Sequence, residues 1–145
     1  MDLERLSDPE VTRLIGTFKS FIEKPIQLPP LVGCGKDDAT VEDSVNGIHY
    51  LLHYYRGNLD NKYSIHLRFV GNNIHLVRLC INGSRHYNED GSFVGGNHIH
   101  IYHYLTNGTV EAKVFSLDKT PFGNPQDLIE DLEKFLKYVH IHDVP

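Results

Sequence analysis

The stretch "KYSIHLRFVGNNIHLVRLCIN", Lys62 to Asn82, changes side-chain character at every second residue through its first half. Tyr63, Ile65, Leu67 and Phe69 form one set and Ser64, His66 and Arg68 the other. A strand sends such sets to opposite faces, one for a core and one for solvent or a ligand. The Gly71–Asn73 triplet is a tight-hairpin signal. The return segment carries Arg78 on the face that a strict period of two also assigns to Leu76, Cys80 and Asn82. An antiparallel sheet is therefore the expected frame.

Working outward, "GIHYLLHYYRG" from Gly47, "HIHIYHYLTN" from His98 and "TVEAKVFSL" from Thr109 supply three more strand candidates. All are rich in β-branched and aromatic residues and bounded by turn residues. In the fourth candidate Ile99, Ile101 and Leu105 oppose His98, His100, Tyr102 and Tyr104, with His103 falling among the apolar set. In the fifth, Val110, Ala112 and Val114 are expected on the core, against Glu111 and Lys113. The connection from Asn82 to Gly96 is long for a compact fold, and such loops tend to carry function.

Two helices flank these strands. Ser7 and Glu10 form a capping box with Pro9 in the first turn, and Val11, Leu14, Ile15, Phe18, Phe21 and Ile22 recur at helical spacing up to Pro25. At the other end Asn124 is the expected cap and Pro125 the first helical residue, followed by Leu128, Ile129, Leu132, Phe135, Leu136 and Val139. Residues 24–47 read as an extended wrap with a short strand near Ile26–Leu28, and His140–His142 as a polar tail. The expected fold is a single α+β domain over 1–145. It has two layers: a five-stranded, mostly antiparallel sheet, with the N-terminal and C-terminal helices packed on one face.

The bulk numbers exclude some functions. With 40% hydrophobic and 10% aromatic residues the 145-residue chain is a folded globule, and its formal charge of -5 argues against a polycationic nucleic-acid binder. Two cysteines, Cys34 and Cys80, do not make a disulfide framework. The start "MDLERLSDPE" has no signal-peptide pattern, and no apolar run approaches the roughly 20 residues a bilayer span needs, so a cytoplasmic location is expected.

Strand alternation gathers His49, His53, His66, Arg68, His98, His100, Tyr102 and Arg78 on the open face. A merely solvated face would mix in more Lys, Glu and Thr. Three chemistries fit. His98 and His100 could share a zinc or iron ion with His86 or a first-strand histidine, but the motif lacks a carboxylate, and neither metal nor cofactor is expected. RNA cleavage needs a base, an acid and a cation at the phosphorane. Catalytic His98, His100, His86 and Arg78 would supply them, with Arg85, Tyr87, Tyr102, Tyr104, Arg68 and His66 binding substrate. The third is a non-enzymatic inhibitor whose acidic segment Asp37–Asp43 imitates nucleic-acid charge. The expected partner is accordingly RNA or a bacterial protein, an antitoxin or a defence protein.

The segment "LVRLCINGSRHYNEDGSFVGGNHIHIYHY" also carries a pattern. Arg78, Asn82 and Gly83, then His86, Asn88, Asp90 and Gly91, then His98, His100 and Tyr102 make a strand ending in R-x-x-x-N-G, an H-x-N-x-D-G turn and an H-I-H-I-Y strand. It resembles a family of small uncharacterised proteins from phages and mobile elements of Gram-positive bacteria. Cys80, Glu89 and Asn97 depart from that family's usual acidic residue, proline and proline, and its later W-A-Y-P-L run is only echoed by "AKVFSL". The resemblance covers about thirty residues. It implies mobile-element biology, a toxin–antitoxin module or phage counter-defence, and leaves the activity open.

Overall fold

The computed structural model describes residues 1–84 and 86–142, and the side chains of His86 and Phe93 lie outside that description. In chain order the elements are α1 (Asp8–Gly16), β1 (Lys19–Phe21), β2 (Gly35–Asp43), β3 (Ile48–Arg56), β4 (Tyr63–Phe69), β5 (His75–Ile81), β6 (His86–Tyr87), β7 (Phe93–Val94), β8 (His98–Ile101), β9 (Lys113–Ser116), α2 (Leu128–Tyr138) and β10 (Ile141–His142). Eight strands form one sheet in the order β10-β1-β2-β3-β4-β5-β8-β9, and β6 and β7 pair separately. The β1–β10 pair is parallel and its neighbours antiparallel. The fold is α+β, but the expected five-stranded, mostly antiparallel sheet with helices packed on one face is replaced by an eight-stranded mixed sheet with two short helices.

Three sequence segments account for the difference. The capping box forms, with Glu10 N donating to Ser7 Oγ and Ser7 N donating to Glu10 Oε1 at 3.0 Å. The helix nevertheless stops at Gly16, long before Pro25, because Thr17 turns extended and donates its hydroxyl to Arg13 O. Residues 19–21 then become a strand, which leaves Phe18 and Ile22 exposed. The supposed acidic wrap is the nine-residue strand β2, paired with β3 along its whole length. Its alternation is hidden in the sequence because the inward set, Gly35, Asp37, Ala39, Val41 and Asp43, includes a glycine and two carboxylates beside the outward Lys36, Asp38, Thr40 and Glu42. The supposed tail pairs Ile141 with Lys19 and buries Ile141. At the second helix the cap is Asp127, whose side chain accepts from Glu130 N at 2.8 Å, rather than Asn124.

The core gathers the apolar alternation of the long strands, Tyr50, Leu52, Ile65, Leu67, Phe69, Val77, Leu79 and Ile99 among them, with Val11 and Leu14 of α1 and Leu128, Leu132 and Phe135 of α2. Among these apolar groups sits Lys19, fully buried. Its Nζ donates to Leu14 O (2.7 Å), Ile15 O (3.2 Å), Thr17 O (2.8 Å) and Val139 O (2.8 Å). One ammonium thus binds carbonyls at the C-terminal ends of both helices, where the regular helical donors run out. Burial holds its pKa down to about 8, against the opposing pull of Asp43.

At β9 burial alternates as expected, with Glu111 and Lys113 exposed and Val114 buried, but the face differs; the strand begins only at Lys113, after an isolated bridge between Tyr104 and Val110. Val114 lies cross-strand from His100 and is buried there, while Phe115 pairs with Ile99.

Candidate functional site

The site is built by the hairpin of β4 and β5. Between Leu67 and Arg68 the β4–β5 register shifts, so that Leu67 faces Val77 but Arg68 faces His75. The residue absorbed by this bulge is Leu76, which is fully buried. A strict period of two would put His75 with the core set and Leu76 outside; the bulge exchanges them. His66 pairs with Arg78 and Arg68 with His75. Two imidazoles and two guanidiniums therefore alternate like a checkerboard over two adjacent strands.

The pattern extends along the sheet. Asp38, His53, His66, Arg78 and His100 stand in direct register across β2, β3, β4, β5 and β8. His53 Nδ1 is held by Asp38 Oδ1, and the rings of His53, His66 and His75 stack in file, with centroids 5.0 Å and 4.2 Å apart. Arg68 Nη1 donates to His66 Nε2 at 3.1 Å, which puts the proton of that neutral ring on Nδ1.

The electrostatics are one-sided. Burial, reinforced by His75, His53 and both arginines, pushes the His66 pKa down to about 3. Burial, Arg78, Arg68 and His53 push His75 down to about 4. Among the described residues neither arginine forms an ion pair, and Arg68 Nε and Arg78 Nε are buried without a hydrogen-bond partner. Two guanidiniums without a carboxylate make a local positive field on a chain of net negative charge. Beside Arg78 a cavity of about 360 Å³ opens between Tyr55, Leu59, Lys62, Ser64, Arg78 and Cys80. Tyr55 is half exposed there and offers a ring face.

These shifts make stability depend on pH. An unfolded imidazole titrates near 6.5. Between that value and about 4 the unfolded chain binds protons that folded His66 and His75 refuse, so stability rises with pH across this window and is lost on acidification. Discounting for solvent screening at half-exposed His75, the expected loss from pH 7 to pH 5 is roughly 2 kcal/mol. Denaturant melts of wild type and His66→Gln at the two pH values check it. A wild-type loss no larger than the variant's would contradict the assignment.

A second group lies along β5 and β8. Cys80 pairs with His98 and Arg78 with His100. The metal-binding atoms of Cys80, His98 and His100 all lie within 4.8 Å of one another, and the two rings meet edge to face. His98 is fully buried, with Nδ1 donating to Gly95 O at 2.6 Å. Burial raises the Cys80 thiol pKa, while Arg78, by charge and hydrogen bond, lowers it.

The remaining expected site residues fall as follows. Tyr102 was expected on the open face; it is 1% exposed, receives Leu6 N and donates to Leu3 O, because β8 ends at Ile101 and the alternation ends with it. Tyr104 is half buried against the core. Tyr87 is 68% exposed on the β6–β7 hairpin. Arg85 lies outside the described residues, as does the side chain of His86. The long connection holds that hairpin, and Asn88 ties it to β9 through Val114 N and O. The acidic segment chosen as a nucleic-acid mimic is occupied otherwise: Asp38 holds His53, Glu42 holds His49, Asp37 accepts from Gln27 N, and Asp43 is buried. His75 escaped sequence reasoning because the bulge that turns it outward has no signal in a period of two. The parity of the sequence sets Cys80 on the face of Arg78, but only its pairing with His98 makes it a ligand candidate.

The chain belongs to a family of unknown function, DUF6978, whose profile matches residues 6–141. No curated protein and no solved structure matches it significantly. Among the described residues no helix is long and apolar enough to cross a membrane.

Proposed function

We propose that the protein is a small endoribonuclease that takes the RNA backbone on the open face of its sheet. The observation that carries this is the checkerboard of His66, Arg68, His75 and Arg78, a positive array whose arginines pair with no carboxylate among the described residues, flanked by a histidine that a carboxylate orients. In a 2′-hydroxyl transesterification His75 is the base, since its ring is neutral at pH 7. His53, held by Asp38, is the acid for the leaving oxygen. Arg68 and Arg78 stabilise the phosphorane, and a bound phosphate brings the His75 pKa back towards neutrality. Tyr55 and Lys62 at the adjoining cavity hold a base and a flanking phosphate. Buried His98 is a structural member of β8 in this scheme rather than a reactant. A toxin of a mobile element is the biological setting that the resemblance over Arg78–Tyr102 supports.

The test is binding of a labelled single-stranded oligoribonucleotide against salt. Replacing Arg68 and Arg78 by alanine removes two phosphate contacts, so the slope of log affinity on log salt should fall by about 1.4. Unchanged affinity and slope in the double variant would sink the assignment.

One observation favours a protein partner instead. Leu28, Leu31, Val32 and Leu59 are all exposed, on two loops joined where Gly33 N donates to Asp60 Oδ1 and Arg56 holds Gly33 O. If that surface carries the function, Leu31→Asp should abolish the growth effect of the expressed protein. If the sheet face carries it, Leu31→Asp should leave the effect intact.

A further inference from the structure

The group on β5 and β8 supports a different chemistry from the checkerboard beside it. Cys80 and His98 are cross-strand partners and His100 is two residues along, so a thiol and two imidazoles converge from rigid strands rather than from mobile loops. We propose that Cys80, His98 and His100 bind a zinc ion through one thiolate and two imidazole nitrogens.

Three features support it. First, the donor set is selective: thiolate with imidazole suits zinc, whereas magnesium and calcium require oxygen ligands. Second, His98 is already oriented as a ligand. A carbonyl can only accept, so the His98 Nδ1–Gly95 O bond fixes the proton on Nδ1 and makes Nε2 the electron-pair nitrogen. Third, the backbone closes around the pair. Gly83 N donates to Gly96 O at 2.9 Å, and a Cβ on Gly96 would come within 2.6 Å of Gly83 O, so the two ends of the 83–96 excursion approach as only glycine permits. A Cβ on Gly83 would stand 3.6 Å from Cys80 Cβ and 3.9 Å from His98 Cε1, which places this closure directly against two of the ligands.

Binding replaces the thiol proton by the metal and releases that proton to solvent. Arg78, hydrogen-bonded to Cys80, steadies the thiolate from outside the ligand set. Three protein ligands leave a tetrahedral ion one further position. The ion ties β5 to β8 and to the base of the excursion, and none of its ligands is among the proposed acid, base or phosphate-binding residues. The inference stands whether or not the protein cleaves RNA.

The experiment uses untagged full-length protein titrated with cobalt as the spectroscopic probe, then with zinc as competitor. Wild type is expected to take up one equivalent of cobalt with a thiolate-to-metal charge-transfer band and intense visible bands of a tetrahedral ion. Zinc should displace the cobalt and raise the melting temperature. Cys80→Ser should lose the charge-transfer band and bind more than about 100-fold more weakly. His100→Gln, at a partly exposed position that should keep the fold, should show weakened binding with a thermal melt like that of the metal-free wild type. His66→Gln, outside the ligand set, should bind as wild type does. Only weak octahedral cobalt bands in wild type, or undiminished binding in both Cys80→Ser and His100→Gln, would overturn the proposal. RNA cleavage followed on the zinc-free protein separates the two claims, since loss of the metal site leaves His53, His75 and the arginines in place.

Discussion

Replacing His75 by alanine is expected to slow RNA cleavage about 10³-fold while changing RNA affinity little, and His53→Ala should cost a similar factor. The two residues stand on either side of His66 in the stacked file, so one can take the 2′-hydroxyl proton as the other supplies a proton to the leaving oxygen. Their losses should not add, because a reaction deprived of either partner gains little from the one that remains. Affinity should survive because phosphate binding is assigned to Arg68 and Arg78. The measurement is single-turnover cleavage beside equilibrium binding on the same preparations. A parallel fall in rate and affinity would make His75 a binding residue and remove the base from the mechanism.

The largest effect on stability is expected at Lys19. Its ammonium is fully buried and holds carbonyls from the end of α1, the turn after it and the end of α2. Methionine at this position keeps the apolar stem but strands several buried acceptors, each costing on the order of 1–3 kcal/mol. Lys19→Met should therefore lose roughly 3–5 kcal/mol, a large part of the stability of a domain this size. Lys19→Arg should lose less, since a cation and its donors remain. Equilibrium denaturation checks both. A Lys19→Met cost below about 1 kcal/mol would mean that the carbonyls find other partners.

How legible the fold was in the sequence depended on whether local pattern and tertiary pairing agreed. The strands at Ile48–Arg56 and Tyr63–Phe69 alternate because one face is core and the other polar, whereas His75–Ile81 is legible as a strand from its aliphatic run and the hairpin signal before it rather than from a period. The strand Gly35–Asp43 alternates as well, but Gly35, Asp37 and Asp43 on its inward side and the preceding prolines give it the composition of a loop. Residues 19–21 and 141–142 hide for another reason. Each is too short to show a period, and they become strands only by pairing with each other and with β2.

The site divides in the same way. His66, Arg68 and Arg78 were legible because they follow the period, and His53 because it shares a face with His49. His75 was not, since its exposure depends on a bulge that only the pairing of β4 with β5 creates. Tyr102 misled in the opposite sense: it continues the sequence alternation past the point where β8 ends, and its hydroxyl is spent on Leu3 and Leu6. Cys80 was visible on the right face but carried no metal signal without His98 opposite it.

The central claim is that the checkerboard face promotes attack by a ribose 2′-hydroxyl. The most direct measurement uses an oligodeoxynucleotide with a single ribonucleotide and identifies the new chain ends. Cleavage should occur only after that ribose, giving a 2′,3′-cyclic phosphate and a 5′-hydroxyl, and should be lost in His53→Ala with His75→Ala. Equal cutting of the all-deoxy strand, ends without the cyclic phosphate, or an intact substrate with folded wild-type protein would contradict it.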